Sequence, residues 1–154
     1  MRQTMRRCLV LAGGLLLLGC RSEPADEVAE VPADSVAASP AILLEDIAGT
    51  WDVRYVPQSG DTTVTSSQIR VTANGWTLLL ADREPIVGAV MTSGDSIIVV
   101  EGPYESVRRD GVMVTTHSVY RLEGDRLVGT VVARYPTSGP DSVLVLRSEG
   151  KRAP

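Results

Sequence analysis

The 154-residue chain has no phenylalanine, one histidine, one lysine and two cysteines, and both cysteines fall within the first twenty residues. Beyond residue 20 there is no thiol, which excludes disulfides, thiolate metal sites and a cysteine nucleophile from any folded body there. The lone histidine, His117, makes no metal site by itself. Basic residues do not cluster: the largest group is Arg108-Arg109, and Lys151 is the single lysine, so nucleic acid is not an expected partner. No glycine-rich phosphate loop follows residue 20. Asp82, Glu84 and Asp95 sit near turn signals and form no pair spaced for acid–base work. The chain reads as non-catalytic, with no cofactor and no metal.

What is present begins with an address. Arg2, Arg6 and Arg7 precede eleven apolar or glycine residues, Cys8 to Leu18. That run is a secretory signal and not a membrane span, for which about 20 apolar residues are needed. It ends in Leu17-Leu18-Gly19-Cys20, which resembles the lipobox of bacterial lipoproteins. The resemblance implies that residues 1–19 are removed, that the Cys20 sulfur carries diacylglycerol, and that the protein is anchored in the bacterial envelope. Arg21 does not match the aspartate that retains some lipoproteins at the inner membrane, so the periplasmic face of the outer membrane is the expected location. After removal of the signal, 12 basic and 19 acidic residues remain, a formal charge of −7. Residues 20–39 hold five acids and one base, rich in Ala, Pro and Ser without an apolar face, and suit a solvated tether.

Order is expected over 40–154. Ser39 as cap, Pro40 at the first helical position, Ile42, Leu43, Leu44 and Ile47, and a stop at Gly49 predict one or two helical turns. From there the apolar period changes from about 3.6 to 2. Turn signals at 57–61, 74–75, 83–85, 93–95, 102–111, 123–125 and 136–140 divide the remainder into eight strands, at 51–56, 63–73, 76–82, 86–92, 96–101, 112–122, 126–135 and 142–148. Connections this short permit only antiparallel neighbours. An open meander leaves two unpaired edges, and pairing the first strand with the last removes both. The predicted fold is therefore all-β, an eight-stranded antiparallel up-and-down β-barrel whose interior is either filled by side chains or holds one small ligand.

Alternation assigns the inner face: Trp51, Val53 and Tyr55 against Asp52 and Arg54; Ile69 and Val71 against Arg70 and Thr72; Leu127, Val131 and Tyr135 against Arg126, Thr130 and Arg134. The strands at 76–101 are apolar on both faces, with Leu78 to Leu80 and Ile97 to Val100 uninterrupted. Their outer surface has to be covered, meet a partner or lie near the membrane.

Gly49-Thr50-Trp51, at the head of the first of eight strands and behind a short helical turn, is similar to the G-x-W motif of the lipocalin and lipocalin-like families. The resemblance covers about residues 40–150. It implies that Trp51 packs inside the closed end beneath an arginine near the end of the last strand, at the position of Arg147.

His117 shares a strand face with Thr115 and Arg121 and is expected at the surface, pointing away from Ser118. Thr116, Ser118 and Tyr120 share the other face with Val114 and Leu122. Buried hydroxyls need partners, which a ligand or neighbouring groups supply. With Tyr55 and Trp76 these three are the candidates for lining a ligand pocket. The expected function is binding of a small apolar or amphipathic molecule inside the barrel. The alternative is a solid-cored barrel that docks an envelope protein, as inhibitor or assembly partner, through its outer surface. The Gly102 to Gly111 loop, with Tyr104, Arg108 and Arg109, is the expected rim contact.

Overall fold

The computed structural model describes residues 41–60 and 62–154. The signal-like segment, Cys20, the acidic tether and the Ser39-Pro40 start all lie outside the described residues. Within them a 3-10 turn, Leu44–Ile47, precedes eight strands: β1 (Gly49–Pro57), β2 (Thr65–Thr72), β3 (Gly75–Leu79), β4 (Ile86–Ser93), β5 (Ser96–Glu105), β6 (Met113–Glu123), β7 (Arg126–Arg134) and β8 (Val143–Arg152). Each strand pairs antiparallel with the next, and β1 pairs with β8 from Trp51 opposite Arg152 to Pro57 opposite Leu146. The sheet is a closed up-and-down barrel without a free edge.

The up-and-down order makes the two ends unlike. At one end Thr72 pairs with Gly75, Ser93 with Ser96 and Glu123 with Arg126, so β2–β3, β4–β5 and β6–β7 turn in two residues each. Gly94 and Gly124, at φ +57° and +63°, occupy left-handed corners of the last two. The 3-10 turn lies at this end, where the Ile42 amide donates to the Gly94 carbonyl at 2.8 Å. The longer connections, 58–64, 80–85, 106–112 and 135–142, gather at the opposite end, which is the mouth.

Several boundaries differ from the sequence reading. The β2–β3 corner is Ala73-Asn74, neither residue at positive φ, and not the Asn74-Gly75 type I′ turn. The core sets that register, because Val71 opposite Trp76 keeps both inside, whereas a one-residue slip would turn the indole to water. The helical element is only a 3-10 turn, entered through a hydrogen bond from the Leu43 amide to Asp46 Oδ2 at 2.8 Å. Strands β5 and β8 each run four residues further than expected, to Glu105 and Arg152.

The main core fills the closed end and middle, with Ile47, Trp51, Ile69, Val71, Trp76, Leu78, Ile97, Val99, Tyr120, Leu127 and Val131 buried together. A smaller cluster, Val114, Ala133 and Tyr135, lies toward the mouth. Outward positions of β1 and β8 carry Asp52, Arg54, Arg147, Glu149 and Lys151, and Arg126 pairs with Glu149 at 2.6 Å. On these two strands the charged outer face is the reverse of the apolar outer band of a membrane-spanning barrel. Among the described residues no helix is long and apolar enough to cross a membrane.

Candidate functional site

The closed end is built on Trp51. Its ring is fully buried, and Nε1 donates to the Ile47 carbonyl at 2.9 Å, fastening the 3-10 turn to the barrel floor. The guanidinium over the ring belongs to Arg152, with Cζ 4.5 Å from the centroid, and Arg152 also donates to the carbonyls of Ala48 at 2.6 Å and Asp46 at 3.1 Å. Arg147, assigned that place from sequence, is instead exposed on the outer face opposite Val56 and Thr130. Parity and length explain the correction. Leu146 and Ser148 point inward, so Arg147 between them points out, and the last strand continues until Arg152 lies opposite Trp51.

Above the floor, one level of the barrel carries an acid that the sequence reading missed. Glu101 is only 4% exposed. Its Oε1 accepts from Trp76 Nε1 at 2.9 Å and its Oε2 from Thr116 Oγ1 at 2.7 Å, both neutral donors. No ion pair reaches it among the described residues. Burial pushes the carboxyl above its ordinary range, and the two hydrogen bonds partly offset that. Gly88, opposite Trp76 on β4, makes the arrangement possible: a Cβ there would lie 2.9–3.1 Å from Val99, Glu101 and Trp76. The clue was in the alternation, since Ile97, Val99 and Glu101 share one parity at the end of a run that reads as uniformly apolar.

Tyr120 occupies the neighbouring level, its ring centroid 5.0 Å from that of Trp76. It is admitted by Gly129, where a Cβ would meet the Val119 carbonyl at 2.5 Å and the Tyr120 ring at 2.7 Å. Tyr55 pairs with Ser67 Oγ at 3.0 Å. Burial raises the phenols of Tyr55 and Tyr120, and that of Tyr104 is pushed up to about 12, again mainly by burial, with the Glu101 charge adding in all three.

These groups meet in a cavity of about 50 Å³ beneath the mouth, with Tyr55, Ser67, Glu101, Tyr104, Thr116 and Tyr120 among its lining residues. A few water molecules fit such a space, whereas sites for drug-sized ligands start near 300 Å³. Of the residues expected to line a pocket, Tyr55, Thr116 and Tyr120 do so. Trp76 lies behind Glu101, and Ser118 is buried in the core beside Tyr120. His117 is exposed on the outer face of β6.

The 106–112 segment stands at the mouth and is tied to each of the other three loops. Arg83, from the β3–β4 loop, donates to the carbonyls of Glu105 and Ser106. Arg108 donates to the Thr63 carbonyl at 2.6 Å and Thr65 Oγ1 at 3.3 Å. Arg109 lies 3.7 Å over the Tyr135 ring and donates to the Asp141 carbonyl at 2.7 Å. Ser106 Oγ accepts from the amides of Arg108 and Arg109 and meets Tyr135 Oη at 3.3 Å. Arg108 and Arg109 are thus mouth residues, as the sequence suggested, and Arg83 joins them.

Comparison with protein-family models, curated proteins and solved structures returned no match. The functional reading therefore rests on the chain's own geometry.

Proposed function

We propose that the chain is a lipid-anchored envelope lipoprotein, held at the periplasmic face of the outer membrane, whose barrel binds a small amphipathic ligand under the 106–112 segment without catalysing a reaction. The observation that carries this reading is Glu101. A barrel needing only a core would fill this level with aliphatic groups, because an uncompensated carboxylate taken out of water costs several kcal/mol. Here that acid stands at a cavity lined by four tyrosines and several serine and threonine residues, at the end of the barrel where the longer loops gather. The small volume narrows the ligand to a compact polar head, and a long acyl chain does not fit. Lipobox-like Leu17 to Cys20 supports the anchor, and the acidic composition of 20–39 supports a tether.

A second reading has its own observation. On the outer face, Val87 is 78% and Met91 63% exposed, and Met91, Ile98 and Val119 form a cross-strand row over β4–β6. A docking barrel would present such a face. Native mass spectrometry of the protein released from its own envelope separates the two. A small-molecule adduct that is lost in Tyr120→Ala supports ligand binding, whereas an empty barrel with a protein adduct lost in Met91→Glu favours docking.

A further inference from the structure

Resting on the reading of the barrel as a ligand binder, we propose that Glu101 anchors the ammonium head of a small primary amine, with Tyr55, Tyr104 and Tyr120 walling the site. Three features of the site converge on that class. Among the described residues the buried carboxyl has no cationic partner, and each oxygen accepts a single hydrogen bond, from Trp76 or from Thr116. A carboxylate offers about four lone-pair positions, so acceptor capacity is left over, and a primary ammonium carries three donors to use it. Phenol rings with Ser67 and Thr116 hydroxyls surround the remaining space, which suits a cation through the ring quadrupole and through oxygen acceptors. The cavity of about 50 Å³ admits a head of this size and little more.

Charge balance gives the proposal a signature. The titratable groups lining the cavity with Glu101 are Tyr55, Tyr104 and Tyr120, whose values burial raises, together with Tyr135, and Arg108 stands at its rim, bonded to Thr63 and Thr65. An entering ammonium therefore has only Glu101 as a buried counter-ion. To the extent that the carboxyl is protonated at rest, it gives its proton to solvent as the amine arrives, so the complex holds one positive and one negative charge. Val107 and Arg108 bring the 106–112 segment to the edge of the same cavity.

The test uses the full chain in detergent, with methylammonium as probe and sodium and tetramethylammonium at equal ionic strength as controls. The expected result is saturable thermal stabilisation by methylammonium alone, a calorimetric heat that depends on the buffer through proton release, and an affinity at least about tenfold weaker in Glu101→Gln. His117→Ala, exposed on the outer face of β6, retains binding unchanged. Equal stabilisation by the three cations, or undiminished binding by Glu101→Gln, overturns the assignment. If Glu101→Gln does not fold, the discrimination between methylammonium and tetramethylammonium by the unaltered protein decides alone. A neutral molecule found in the barrel of envelope-derived protein, with no response to methylammonium, sinks the amine class and spares ligand binding. An empty barrel in both measurements removes both.

Discussion

Replacing Arg152 by alanine tests how the barrel floor is held. The guanidinium lies 4.5 Å from the Trp51 centroid and donates to two carbonyls of the turn that seals the floor, those of Ala48 and Asp46. A cation over an aromatic face contributes about 0.5–1 kcal/mol when exposed, and each hydrogen bond from a charged donor adds up to about 1.5 kcal/mol, less here because Arg152 is open to water. The sum is about 1–2 kcal/mol, which lowers Tm by about 4–8 °C in a domain of this size. Arg152→Lys keeps the charge but not the planar fork, and recovers only part of it. Arg147→Ala, on the outer face, stays within about 0.5 kcal/mol of the unaltered protein. Urea unfolding at unchanged m, followed by tryptophan fluorescence, measures all three. A Trp51→Leu/Arg152→Ala double-mutant cycle should return a coupling of about 0.5–1 kcal/mol. Equal losses for the two arginines, or no coupling with Trp51, would refute the assignment of the cap to Arg152.

Three further outcomes follow from the interior. Gly129→Ala should cost about 2–3 kcal/mol by overpacking, because its Cβ would sit 2.5 Å from the backbone carbonyl of Val119. Gly88→Ala, whose neighbours are side chains able to yield, should cost less in the same denaturation experiment. The raised Glu101 carboxyl makes the folded state bind a proton more readily than the unfolded chain. Its contribution to stability is thus full below the ordinary carboxylate range and is lost as pH rises through the folded value. Glu101→Gln should flatten that part of the pH profile and raise stability near neutrality by about 1 kcal/mol or more, as read from urea midpoints. Ser106→Ala removes the acceptor for two loop amides and a partner of Tyr135. It should cost about 1–2 kcal/mol and speed amide exchange at Arg108 and Arg109 relative to β6.

The barrel was legible because its information is local. Period-2 alternation and short Gly- and Pro-marked turns determine strand number, antiparallel order and facing, and closure follows from the cost of open edges. Tyr55, Thr116 and Tyr120 were placed inward by parity alone. What escaped depends on lengths that no turn signal marks. The β8 strand overruns to residue 152 because its partner β1 continues to pair with it, and that overrun moves the floor arginine by five positions. Glu101 was hidden for another reason: its strand is apolar on both faces, so alternation assigns it to neither side, and an acid inside such a run is acceptable only once Trp76, Thr116 and the gap left by Gly88 are known to converge on it. Those contacts come from four different strands.

The distribution of packing makes the mouth the movable part. Nearly all the large buried side chains belong to the cluster rooted at Ile47 and Trp51, whereas the cluster nearest the mouth is Val114, Ala133 and Tyr135. Segments with few buried apolar contacts open at lower free energy than the body they are attached to. The 106–112 segment is held by arginine donors to carbonyls, two of them in exposed bonds that water can replace at small net cost, and by the buried Ser106 hydroxyl. Its release would uncover Glu101 and the three phenols without disturbing Trp51 or the β1–β8 closure. A sealed apolar floor therefore lets the barrel keep a polar upper level, on the side of the molecule where a ligand meets the least packing.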